Sequence, residues 1–211
     1  MKKIMVLLLV LLFSAMIVAG DDKDSKTVST NETLKVIKSR RSIRAFKDEQ
    51  VKEADLQAII EAGLYAPSGM NKQTWHITVI QDKKILDKMT DMFIAQAKKS
   101  GKGPAAKNPK FRIFYGAPTG IVVSAEDNMQ YAPVDCAAAQ ENMLIAAESL
   151  GLGAGWEQMN MVLFEGDQGK ELIKELGIPN GYTPIYTFAL GYKDEQPQPQ
   201  PRRENSVNYV R

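Results

Sequence analysis

The chain has 211 residues, with 27 Lys and Arg against 25 Asp and Glu, one histidine and one cysteine. A chain of this size suits a single domain with a sizeable core, and its near-neutral charge argues against a nucleic-acid partner. The single cysteine, Cys136, excludes an intrachain disulfide, and one His with one Cys argues against a zinc-type metal site.

At the start of the chain, Lys2 and Lys3 precede an unbroken apolar run from Ile4 to Phe13, and the stretch closes on Val18, Ala19 and Gly20. Charged residues, an apolar run and a small-residue end form the layout of a cleaved secretory signal over residues 1–20. An uncleaved membrane anchor is the alternative, because the apolar segment approaches the roughly 17 residues that just span a bilayer. Either reading exports the remainder to the periplasm or beyond, since the lysines precede the segment and Asp21, Asp22 and Asp24 follow it. Removing residues 1–20 leaves 25 basic and 25 acidic residues. Residues 21–30 are polar and lack periodicity, which reads as a spacer, and residues 31–211 form the expected domain.

Asn31 caps a short helix, ETLKVIKSR, that delivers Arg40 to Arg44 to a loop. Residues 53–65 put Leu56, Ile59, Ile60 and Leu64 on one face of a second helix. WHITVIQ, from Trp75, alternates as a strand, and Asp82 caps a helix to about Lys98. The lysine-rich segment from Lys99 to Arg112, punctuated by Gly101, Gly103, Pro104 and Pro109, reads as a flexible excursion or a lid. TGIVVS, from Thr119, is a buried strand, and Pro133 to Leu150 a long alanine-rich helix with Cys136 as a core residue. A turn and strand from Gly151 to Trp156, a short helix from Gly166 to Leu176 ended by Gly177, and a strand from Pro184 to Gly191 complete the domain. Alternating strands and helices imply a layered α+β or α/β arrangement. After Tyr192 the composition turns to an extended proline-rich tail carrying Arg202 and Arg203.

Three clusters could carry chemistry. Arg40-Arg41-Ser42-Ile43-Arg44 sets guanidinium groups around a hydroxyl, a composition that suits a phosphomonoester; taken alone it reads sooner as a solvated charged loop. The loop APSGMNKQTW carries Pro67 and Ser68 to shape it and the amides of Asn71 and Gln73, which donate and accept as a flavin's pyrimidine edge does; taken alone it is an ordinary loop. Gly151, Gly153 and Gly155 lead into Trp156 and Glu157 and let backbone approach a planar ligand. Neither these glycines nor Gly101-Lys102-Gly103 has the spacing of a dinucleotide fingerprint or a P-loop. His76, Trp156, Tyr65, Tyr115 and Tyr131 read as core or interface residues.

In this order, the segments SRRSIRAF, APSGMNKQTWH, YAPVDCAAAQENMLIAAESLGLGAGW and the terminal PRR resemble the nitroreductase family of FMN-dependent oxidoreductases. The resemblance implies an α+β homodimer with a mixed central sheet flanked by helices, an extended C-terminal arm, and FMN at the subunit interface. Arg40, Arg41, Ser42 and Arg44 would meet the phosphate and the ring edge, with Arg202 and Arg203 closing from the tail. Pro67, Ser68, Asn71 and Gln73 would come from the partner chain, and Gly155, Trp156 and Glu157 would lie near flavin N5. Two electrons would pass from NAD(P)H or another carrier to a nitro compound, quinone or similar small acceptor, with no dedicated catalytic acid or base. An exported electron-transfer flavoprotein and a reductive dehalogenase of the same family are the alternatives.

Overall fold

The structure is a computed structural model that describes residues 31–101, 105, 107, 108 and 110–211. The expected signal and spacer, and residues 102–104, 106 and 109 of the lysine-rich excursion, lie outside the described residues. The chain divides into a unit ending at Ser39 and a body of residues Arg40–Arg211. Of the first unit, helix α1 (Glu32–Ser39) starts at the anticipated cap, where Asn31 Oδ1 accepts from the Leu34 N–H at 3.0 Å.

In the body, α2 (Glu53–Leu64), α3 (Lys83–Ser100), α4 (Ala132–Ser149) and α5 (Gly166–Glu175) pack on strands β1 (Trp75–Ile80), β2 (Thr119–Glu126), β3 (Leu152–Trp156) and β4 (Tyr182–Tyr192). The strand order is β1-β2-β4-β3 with every named pair antiparallel; the parallel component of the sheet is one bridge, Ser42 to Ala154. The expected α+β class therefore holds. Asp82 caps α3 by accepting from the Lys84 N–H at 2.7 Å, and Lys99 and Ser100, expected in the excursion, extend that helix by another half turn.

Strand β2 explains where the core lies. Successive side chains of a strand point to opposite faces, and β2 is buried on both. Ile121, Val123 and Ala125 join α2 and α4 in one cluster, while Val122 joins α3, α5 and the turn at Ile113 and Phe114 in the other. Cys136, as anticipated, is buried along α4 with Met143, Leu144 and Ala147, and its Sγ donates to the Ser124 carbonyl. Cutting Met143 back to Ala would cost about 2–5 kcal/mol.

The structure corrects several expectations. Leu64 stands half exposed at the end of α2 and does not join Leu56 and Ile59 in the core; in that last turn it is Gly63 that is buried, against Met143. Tyr65 and Tyr131 are exposed and Tyr115 and Trp156 partly so, which removes the core alternative for these residues and leaves the interface one. His76 is half buried with its ring tilted against Tyr182. Strand β4 begins at Tyr182 and runs through Pro184. It accommodates the proline because β3 pairs only with Phe188 to Tyr192, which leaves β2 as the one strand beside Pro184, and because the register with β2 shifts there, between Val123 and Ser124.

Candidate functional site

The site begins with the packing of residues 42–44 beside β3. The Ile43 N–H donates to the Ala154 carbonyl at 3.0 Å, and Ser42 pairs with Ala154. On the other side, Lys47 N–H donates to the Tyr192 carbonyl and Asp194 N–H to the Ala45 carbonyl, each at 3.0 Å, while the Arg44 N–H donates to the Glu195 carboxylate. The arginine-bearing segment is thus clamped between β3 and the chain leaving β4. The glycines of β3 are what permit the clamp. A Cβ at Gly153 would come 2.9 Å from Ile43 Cγ1, and one at Gly155 would come 2.6 Å from the Ile43 carbonyl oxygen.

This placement gathers Arg40, Arg41, Ser42 and Arg44 with Arg202 of the tail around a cavity of about 300 Å³. No carboxylate lines it among the described residues. Two acids stand beside its lining residues: Glu141, 3.6 Å from Arg40 Nε, and Glu195, which accepts from the Arg44 N–H. Four guanidinium groups and a hydroxyl around one hollow form a donor set suited to a dianionic phosphate. Arg203 does not line the cavity; it is exposed, and its carbonyl accepts from Ser206 Oγ. A larger cavity of about 430 Å³, bordered by Asp48 and Asp87, includes none of the anticipated site residues.

Beside the cavity, Arg44 reaches Tyr115. Arg44 Nε donates to the Tyr115 hydroxyl at 3.3 Å, and the guanidinium lies 5.9 Å from the ring centroid. Glu157 completes the cluster and is only 7% exposed. Burial pushes its carboxyl up to about 7, against the lowering pull of the Tyr115 hydroxyl and the Arg44 charge. Burial also raises the Tyr115 hydroxyl, partly offset by the Arg44 hydrogen bond. Backbone bonds hold Glu157 to β4: its N–H donates to the Thr187 carbonyl at 2.8 Å, and Thr187 Oγ1 donates to its carbonyl at 2.5 Å. Trp156 packs edge-on to Tyr186 at 5.0 Å and donates from Nε1 to Gln158.

The amide loop lies elsewhere in the chain. Pro67, Ser68, Asn71 and Gln73 contribute nothing to the arginine cavity. Met70, Asn71 and Gln73 all have φ between 51° and 54°, a left-handed conformation that costs free energy in non-glycine residues. The loop is stitched down by Ser68 Oγ, which accepts from the Gln73 N–H, and by buried Asp135, which accepts from the Gly69 N–H at 2.9 Å and Thr74 Oγ1 at 3.0 Å. Sequence reasoning missed Asp135 and the role of Tyr115. An acid in the first turn of a buried helix was a signal for Asp135; Tyr115 had none.

Comparison with known proteins places this geometry in context. Residues 37–192 match the model of the nitroreductase family. An FMN-bound nitroreductase structure from Bacteroides fragilis is 33% identical with a TM-score of 0.80, covering 86% of this chain and all of that one. An Archaeoglobus fulgidus protein provisionally described as an NADH dehydrogenase/NAD(P)H nitroreductase is 34% identical over 172 residues, 78% of this chain and 88% of that protein. The oxygen-insensitive NADPH nitroreductase of Salmonella typhimurium is 29% identical over 178 residues, 81% of this chain and 69% of its own length. The chain belongs to the nitroreductase family.

Proposed function

We propose that this protein draws two electrons from a reduced donor onto bound FMN and passes them to a nitroaromatic, a quinone or a similar electron-poor small molecule. It is an FMN-dependent oxidoreductase, and NAD(P)H fits as its donor. The observation that carries the reading is the cavity formed by Arg40, Arg41, Ser42, Arg44 and Arg202: cationic, bordered by no acid among its described lining residues, and shaped for a phosphomonoester. When bound, FMN supplies hydride transfer through its N5. The chain's own residues bind and orient. The arginines and Ser42 would hold the phosphate, Arg44 would also serve the ring, and Gly155, Trp156 and Glu157 would lie against it. In a homodimer, Pro67, Ser68, Asn71 and Gln73 would reach the partner's flavin, which accounts for a strained loop remote from the arginine cavity of its own chain.

The first twenty residues support export, with or without cleavage at about Gly20. An exported enzyme meets little reduced nicotinamide, so its donor there would be a membrane-linked carrier. An anaerobic absorbance titration of residues 21–211 with FMN, then NADH and NADPH, tests the reading. FMN binding with rapid bleaching, followed by recovery on adding a nitro compound or quinone, is expected for a nicotinamide-driven enzyme. Binding without bleaching points to the other donor, and no binding overturns the reading.

A further inference from the structure

We propose that Gln198 and Gln200 are ligand-binding residues of the arginine cavity, donating from their side-chain amides to the oxygens of a phosphomonoester. This deepens the FMN reading above and rests on it: a pair of neutral donors joins a set otherwise made of arginines and one hydroxyl.

Residues 196–202 read Gln-Pro-Gln-Pro-Gln-Pro-Arg. Each proline ring fixes φ near about −65°. Each glutamine precedes a proline, whose ring disfavours the helical region and holds the residue before it extended. With a proline at every other position, the segment cannot enter the sheet as a central strand either. It is a stiff arm, and its root is fastened beside the segment that carries Ser42 and Arg44. Phe46 and Lys193 form an antiparallel bridge, the Asp194 N–H donates to the Ala45 carbonyl at 3.0 Å, and Glu195 accepts from the Arg44 N–H. Lys193 Nζ adds an ion pair with Glu148, 2.6 Å away.

Along this arm Gln198, Gln200 and Arg202 line the cavity of about 300 Å³, while Pro199 and Pro201 between them do not. Alternate side chains of an extended chain share a face, so the two amides stand in the row that Arg202 ends. Among the described residues, neither glutamine side chain has a hydrogen-bond partner. Exposed glutamines elsewhere in the chain are committed: Gln50 bonds to Pro118 and Thr119, and Gln158 to Trp156 and Ile185. An amide NH₂ carries two donors, and hydrogen bonds to a charged acceptor are the stronger kind. Four guanidinium groups around one hollow repel one another; amides complete the donor shell of a phosphate without adding to that repulsion. Because the arm's backbone is already restricted, little freedom is lost when a ligand engages it.

Fluorescence titrations with FMN and with riboflavin, which lacks the phosphate, test the assignment. Replacing both residues, Gln198→Ala with Gln200→Ala, should raise the FMN Kd roughly 5- to 100-fold and leave the riboflavin Kd unchanged. Gln198→Glu with Gln200→Glu, which sets negative charge where the donors stood, should raise the FMN Kd further. Both side chains are exposed, so these variants should fold as the native chain does. An FMN Kd unmoved by the alanine pair, or an equal loss for FMN and riboflavin, overturns the proposal. Side-chain amide NMR on the FMN-free protein reads the same contact with inorganic phosphate as the probe. The Gln198 and Gln200 resonances, assigned by their loss in the alanine variants, should shift with phosphate and stay in place with sodium chloride at equal ionic strength. Resonances that phosphate does not move overturn the proposal. Failure of the unsubstituted protein to bind FMN overturns the functional reading instead, and the phosphate titration still decides whether the glutamines donate.

Discussion

A side chain at Gly155 would place its first carbon 2.6 Å from the carbonyl oxygen of Ile43, closer than such atoms approach in proteins. The contact is with backbone, and the backbone is fixed by the Ile43 N–H bond to the Ala154 carbonyl, so a rotamer change cannot relieve it. The arginine cavity depends on this close approach.

Gly155→Ala should therefore displace residues 42–44 from β3. Overpacking of this kind costs about 1–3 kcal/mol. The expected outcome is a lowered melting temperature together with weaker FMN retention on gel filtration; unchanged retention would separate the clamp from the binding site.

Arg41→Ala should weaken FMN binding. Losing a charge-assisted hydrogen bond costs about 1.5–3 kcal/mol, which corresponds to roughly 10- to 100-fold in Kd. Arg202→Ala should cost less, because that side chain is exposed and more strongly screened by salt. Quenching of flavin fluorescence, titrated at two salt concentrations, measures both.

Asp135→Ala removes the acceptor for the Gly69 N–H and Thr74 Oγ1. Leaving the buried Thr74 hydroxyl unpaired costs about 1–3 kcal/mol, and the half-buried Gly69 N–H less, so the denaturation midpoint should fall. Asp135→Asn retains one acceptor oxygen and should lose less. Equal stability of all three proteins in urea would show that the loop does not depend on this carboxylate.

Stability should fall as pH rises from about 4.5 to about 7, the interval between the ordinary value of a glutamate and that of Glu157 in the fold. The raised folded-state value means that the native protein binds more protons there than the unfolded chain, so deprotonation favours unfolding. The ceiling on this effect is about 3 kcal/mol, reached above pH 7. Urea denaturation at several pH values should show the decline in the native chain and lose this component in Glu157→Gln.

Much of the fold was legible because it is written in local patterns. Asn31 and Asp82 cap the helices expected of them, and the run at Thr119 is a doubly buried strand. Cys136 and Met143 fall on the buried stripe of α4. The left-handed residues at 70, 71, 73, 114 and 115 were not legible, since none is a glycine and the conformations are imposed by partners distant in sequence. The pairing of Arg44 with Tyr115 was equally silent, because 71 positions separate them.

By itself the sequence determined the element order, the α+β class and the clustering of Arg40, Arg41, Ser42 and Arg44, since these depend on period, capping and composition over a few neighbouring residues. Only the tertiary structure decided that Arg202 joins those arginines while Arg203 does not, that β3 glycines make room for Ile43 instead of serving a ligand alone, and that Glu157 is buried beside Arg44 and Tyr115. Those outcomes depend on which distant segments are pressed together, and burial, exclusion of a Cβ and the shift of a carboxyl arise only from that proximity.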